Sequence, residues 1–151
     1  MAEIKTDELF KVIKGVHSSG YDTYVEENKD SMLSPANDFY SFIRTKLKNN
    51  GISQKTLFVK ADISETYGYK LLSGEKKTRQ RDVILRMLIA AKLDFDEVQS
   101  ALHKYGMEEL YPKNKRDALL IMCINEKRDM VSQVNEILKN KGFDELKSTG
   151  A

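Results

Sequence analysis

Apolar residues recur at intervals of three and four along most of the chain, and no stretch alternates long enough to read as a strand. The pattern therefore predicts an all-α protein. Thr6-Asp7 opens a first helix carrying Leu9, Phe10, Val12, Ile13 and Val16, and His17-Ser18-Ser19-Gly20 closes it. Tyr21 to Met32 reads as a second, acidic helical segment. Ser34-Pro35-Ala36-Asn37 is the clearest punctuation, with Asn37 as the cap of a helix over 38–49 whose stripe is Phe39, Phe42, Ile43 and Leu47. Later in the chain, Arg81 to Leu93 points Val83, Ile84, Met87, Leu88 and Ala91 inward. Asp94 caps a helix bearing Phe95, Val98, Ala101 and Leu102, which stops near Gly106. Leu110 to Leu146 reads as a helical hairpin. Ala118, Leu119, Ile121, Met122 and Ile124 form one face, EKRD turns, and Val131, Val134, Ile137 and Leu138 form the other. Phe143 and Leu146 can fold back on it after Gly142.

Between these elements lies the most informative stretch, GISQKTLFVKADISETYGYKLLSG over 51–74. Ser53 can cap a helix whose Leu57, Phe58 and Ala61 share one face, because its hydroxyl accepts from an unpaired first-turn amide. Asp62-Ile63-Ser64 breaks that helix, tucks Ile63 inward and offers Ser64 as a second cap. Leu71 and Leu72 bury the next helix, and Gly74 sits at a left-handed C-cap. Two short capped helices on one apolar seam have the spacing of a DNA-reading helix-turn-helix. Three segments follow: N-terminal helices over 1–36, a five-helix domain over 37–106, and a C-terminal hairpin over 107–151. The hairpin cannot bury both faces alone, so it must pack on the same body or on a second subunit.

Composition changes this picture little. Of 151 residues, 40% are apolar, enough for a core, and 32% are charged, as short helices with solvated outer faces require. No apolar run approaches the ~20 residues needed to span a membrane, and MAEIKTDELF lacks the order of a secretion signal. Cys123 is the single cysteine, so no internal disulfide forms and a reducing cytoplasm is the default compartment. Charge is uneven. Residues 1–36 hold four basic against seven acidic side chains, residues 37–106 thirteen against eight, and residues 107–151 eight against eight. Within 70–86, Lys70, Lys76, Lys77, Arg79, Arg81 and Arg86 face only Glu75 and Asp82. Such a cluster can neutralise phosphates, or be an ordinary solvated loop. Lys113, Lys115 and Arg116 make a second basic group, read as solvated surface.

At GISQKTLFVKADIS and LLSG the chain resembles the phage-repressor (XRE) type of helix-turn-helix protein. TYGYKLLSG, RDVILRM and LYPKNKRDALLI extend the likeness to bacterial XRE-like proteins with a helical extension. The resemblance implies a five-helix repressor-like domain that binds double-stranded DNA. Gln54 would hold a phosphate. Glu65, Thr66 and Lys70 would point at base edges, with Ser64 and Tyr69 beside the backbone. Lys76, Lys77 and Arg79 would make further phosphate contacts. Some positions depart from the pattern: Asp62 replaces the turn glycine, Phe58 the small residue, and Gly68 interrupts the recognition helix. Glu65 suits the helix dipole but repels phosphate.

Two functions stay open at this level. One is a transcriptional regulator reading a short palindromic site as a homodimer. The other is a protein-protein interaction module that keeps the fold and binds a protein partner through Thr66 to Lys70, where Gly68 marks a close approach. No catalytic constellation is visible, so an enzyme is not expected, nor any cofactor. His17 and His103 stand far apart without the spacing of a metal box. Cys123, within LLIMCI, reads as a small core residue.

Overall fold

The computed structural model describes residues 5–32 and 39–149, and every described regular element is helical. The expected punctuation at Ser34-Pro35-Ala36-Asn37, including the Asn37 cap, lies outside the described residues. The chain divides into two compact units, 1–38 and 39–151.

In the first unit, α1 spans Thr6–Lys14 and α2 spans Tyr21–Glu27, with single 3-10 turns at Ser18–Gly20 and Lys29–Ser31. The helix expected to run on to Met32 stops earlier. Asn28 is buried, and its side-chain amide donates to the Tyr24 carbonyl at 2.9 Å. The same carbonyl also takes the Asn28 backbone amide at 3.1 Å, so the last helical bond is doubled by the side chain.

The second unit holds α3 (Phe39–Asn49), α4 (Gln54–Ala61), α5 (Glu65–Ser73), α6 (Arg81–Ala90), α7 (Phe95–Tyr105), α8 (Lys115–Asn125) and α9 (Val131–Asn140). Helix α6 is its axis, packing on α4, α7 and α9, while α3 lies against α5 and α7, and α8 joins α7 to α9. Every residue from Val83 to Ala90 is buried, rather than one stripe. Apart from Arg86 this span is apolar all round and must be covered all round, and α9 supplies the additional cover. The helix also ends sooner than its apolar run: Lys92 takes a left-handed φ of 58°, which turns the chain before Leu93.

Helix α8 is rotated from the expected face. Asp117, Leu120, Cys123 and Ile124 are buried, whereas Met122 is 59% exposed. Asp117 sets the phase by taking a bidentate ion pair from Arg81 at 2.5 and 3.2 Å, and it also accepts from the Tyr111 amide. After α9, the chain folds back so that Leu146 is buried and its amide donates to Asn135 Oδ1 at 2.9 Å.

Candidate functional site

The site is built on α4, the turn 62–64 and α5. Ser53 caps α4, accepting from the Thr56 amide at 3.2 Å. Asp62 ends the helix in the left-handed region (φ 53°), a geometry that Asp tolerates better than most side chains. Ile63 is buried, and the Ser64 hydroxyl accepts from the Tyr67 amide to cap α5. Glu65 then lies in the first turn, where its charge complements the helix dipole.

Gly68 is buried against the Phe58 ring. A Cβ at that position would come to 2.5 Å of Cδ1 and 2.8 Å of Cζ. The close approach that a mid-helix glycine signals is thus an internal one: Phe58 of α4 presses on the backbone of α5. This replaces the expectation of an external ligand or chain at Gly68. Tyr69 stands edge-on to the same ring, with centroids 4.9 Å apart and planes at 83°. Tyr69 remains 41% exposed.

Beside α5 opens a shallow groove of about 470 Å³. Arg44 from α3, Gln54 from α4 and Thr66, Tyr69 and Lys70 from α5 line it, with Leu72, Ser73 and Glu75 completing the wall. Four of the nine residues singled out in the sequence meet here: Gln54, Thr66, Tyr69 and Lys70. Ser64 and Glu65 sit at the exposed start of α5, the Ser64 hydroxyl already engaged as a cap. Lys76, Lys77 and Arg79 project from the exposed loop after α5. That loop is anchored by the Lys76 amide on the Lys70 carbonyl and by the Thr78 amide on the Tyr105 hydroxyl, both at 3.0 Å. Among the described residues, Lys70, Lys76, Lys77 and Arg79 make no ion pair.

Arg44 is the groove residue that sequence reasoning missed. Its guanidinium donates to the Leu72 carbonyl at 3.1 Å, in the last turn of α5, where carbonyls lack helical partners and the dipole is negative. No local signal marks it, because the acceptor lies 28 residues away.

Two arginines grouped with the basic surface belong elsewhere. Arg81 is held by Asp117. Arg86 is 4% exposed and donates to the carbonyls of Ala61 and Asp62, each at 3.1 Å, and of Leu146 and Lys147. Burial pushes its pKa down, against the opposing pull of Asp62, Glu145 and Asp82. Of the second basic group, Arg116 forms a bidentate pair with Asp82, both contacts at 3.0 Å. Cys123 is buried, and the described residues contain no cluster of His, Cys, Asp and Glu able to hold a metal. No helix among them is long and apolar enough to cross a membrane.

Comparison of the chain with family models, with curated proteins and with solved structures finds no match.

Proposed function

We propose that the chain is a DNA-binding regulator in which α3 to α7 form a repressor-like helix-turn-helix domain and α5 is the recognition helix. The observation that carries this reading is the groove, where Arg44, Gln54, Thr66, Tyr69 and Lys70 converge on the outer side of α5. Cations, an amide and hydroxyls on one exposed helix face are the groups that contact phosphates and base edges. Lys76, Lys77 and Arg79 extend the positive surface beyond the end of α5. Thr66 and Lys70 read bases, Gln54 and the loop cations fix register, and two copies on two half-sites supply the specificity that one short helix lacks. The compartment is the cytoplasm, and the reading needs no cofactor and assigns no catalysis.

The test is retention of genomic fragments, including the DNA upstream of the chain's own gene, at low and near-physiological salt. One palindromic site enriched at the higher salt is expected. Thr66→Ala and Lys70→Ala should relax preference within that site. Lys77→Ala should weaken binding to every sequence and reduce the salt slope by about 1. Equal losses on all DNA for all three variants would refute the assigned roles.

A second reading, a protein-interaction module on the same helices, is favoured by the carboxylates of Glu65 and Glu75 at the two ends of α5. It requires weak DNA retention that vanishes with salt and enriches no sequence, together with a protein partner that Thr66→Ala and Lys70→Ala release.

A further inference from the structure

After α9 the chain turns at Gly142, which takes a left-handed φ of 82°, and residues 144–147 run on without regular structure. Among the described residues, no main-chain group of 144–147 bonds to another main-chain group. Side chains hold the segment instead. Arg116 of α8 donates to the carbonyls of Asp144 and Glu145, and Asn135 of α9 accepts from the Leu146 amide. From α6, Asp82 accepts from the Lys147 amide, and Arg86 donates to the carbonyls of Leu146 and Lys147. Six backbone groups are thus held by four side chains, whereas Leu146 is the one residue of this segment that is itself buried. A segment with so little buried apolar surface lies at the low-stability end of a fold and opens before the helices do.

Arg86 connects that segment to the turn from which α5 departs. Its Nη1 donates to the carbonyls of Ala61 and Asp62, each at 3.1 Å. With residues 144–147 in place the arginine is 4% exposed. Their departure removes three of its five hydrogen bonds and admits water to the other two, which then compete with solvent.

We propose that residues 144–147 are a strap that opens as a unit while α3 to α9 stay folded, and that its opening loosens the turn between α4 and α5. Closed, the strap fixes the direction in which α5 leaves α4; open, it lets α5 shift. Because the strap is gripped by its main chain, Leu146 is the side chain on which its closure depends. The proposal stands without the DNA reading, since it is measured on the chain alone.

The experiment is native-state hydrogen exchange of the full chain, followed amide by amide by NMR at increasing low urea. The Leu146 and Lys147 amides should exchange through a local opening nearly independent of urea, and amides within α6 only through global unfolding, which depends steeply on it. Leu146→Ala should speed exchange at Lys147 at least about tenfold with the far-UV circular dichroism unchanged. It should also speed exchange, again with shallow urea dependence, at Asp62 and Ile63, whose amides close the end of α4 on Val59 and Phe58. Lys147→Ala keeps every main-chain bond of the strap and should leave Asp62 and Ile63 as in wild type. The proposal is overturned if Leu146 and Lys147 share the steep urea dependence of α6, or if Leu146→Ala unfolds the chain, since the strap is then part of the core. It is overturned equally if Leu146→Ala leaves Asp62 and Ile63 unchanged or speeds them only with steep urea dependence, or if Lys147→Ala speeds them as much.

Discussion

Gly68→Ala separates helix propensity from packing, because the two predict opposite signs. In an exposed helix interior, replacing Gly by Ala gains about 1 kcal/mol. Here the new methyl would lie 2.5 Å from Cδ1 and 2.8 Å from Cζ of Phe58, well inside van der Waals contact. Phe58 is 1% exposed and edge-on to Tyr69, so its ring can yield only by displacing its neighbours. Overpacking of this kind costs about 1–3 kcal/mol, and a contact this short belongs at the upper end. The net expectation is a loss of about 1–2 kcal/mol, read as a lower urea midpoint by far-UV circular dichroism. Phe58→Leu should make room for the methyl, so the double variant should lie at least about 1 kcal/mol above the sum of the singles. Stabilisation by Gly68→Ala, or strict additivity with Phe58→Leu, would refute the account of why glycine stands there.

Other perturbations test the framework around the site. Arg86→Met strips hydrogen bonds from buried carbonyls of Ala61 and Leu146 and should cost about 2–4 kcal/mol in urea unfolding. Arg86→Lys should recover only part of that loss, since an ammonium lacks the planar fork. Asp117→Ala takes the acceptor from the Tyr111 amide and leaves Arg81 only the carbonyls of Glu108 and Glu109, and should cost about 3 kcal/mol. Glu145→Ala, which breaks an exposed pair with Lys139, should stay within about 0.5 kcal/mol. Burial, then the Glu126 carboxylate, pushes the Cys123 thiol pKa up against a smaller pull from Arg128. The unfolded chain therefore ionises first. Stability from this thiol is complete below the unfolded thiol pKa and is lost as pH rises through the folded one. The urea midpoint of wild type should fall relative to Cys123→Ala above about pH 8.5, and parallel profiles would refute it.

The elements that were legible in the sequence are those whose chemistry closes within a few residues. Ser53, Ser64 and Asp94 bond amides three positions on, and Asp94 forms a reciprocal capping box with Glu97. Gly74 and Gly106 take the left-handed φ that a C-cap requires. Where the apolar pattern is continuous, phase is lost. Leu119 to Ile124 are all apolar or cysteine, so that run satisfies several faces at once, and the ion pairs of Asp117 with Arg81 and of Arg116 with Asp82 select one. Charge patterning fails for the same reason that local capping succeeds. Arg44, Arg81, Arg86 and Arg116 look alike in the sequence, yet each takes its role from an acceptor at least 24 residues away.

Arg86 shows what that non-locality does to the site. Its fork joins the turn after α4, at Ala61 and Asp62, to the folded-back segment at Leu146 and Lys147. Lys60 adds a second tie from α4 to Asp129, between α8 and α9, at 2.5 Å. The angle at which α5 leaves the turn is thus constrained twice. On one side Phe58 presses on Gly68 within the pair of helices, and on the other Arg86 fastens their connection to residues near the end of the chain. Residues 107–149 are therefore part of what holds the groove in shape, although none of them lines it. A change at Leu146 that disturbs its carbonyl reaches Thr66 and Lys70 through the turn, without touching either.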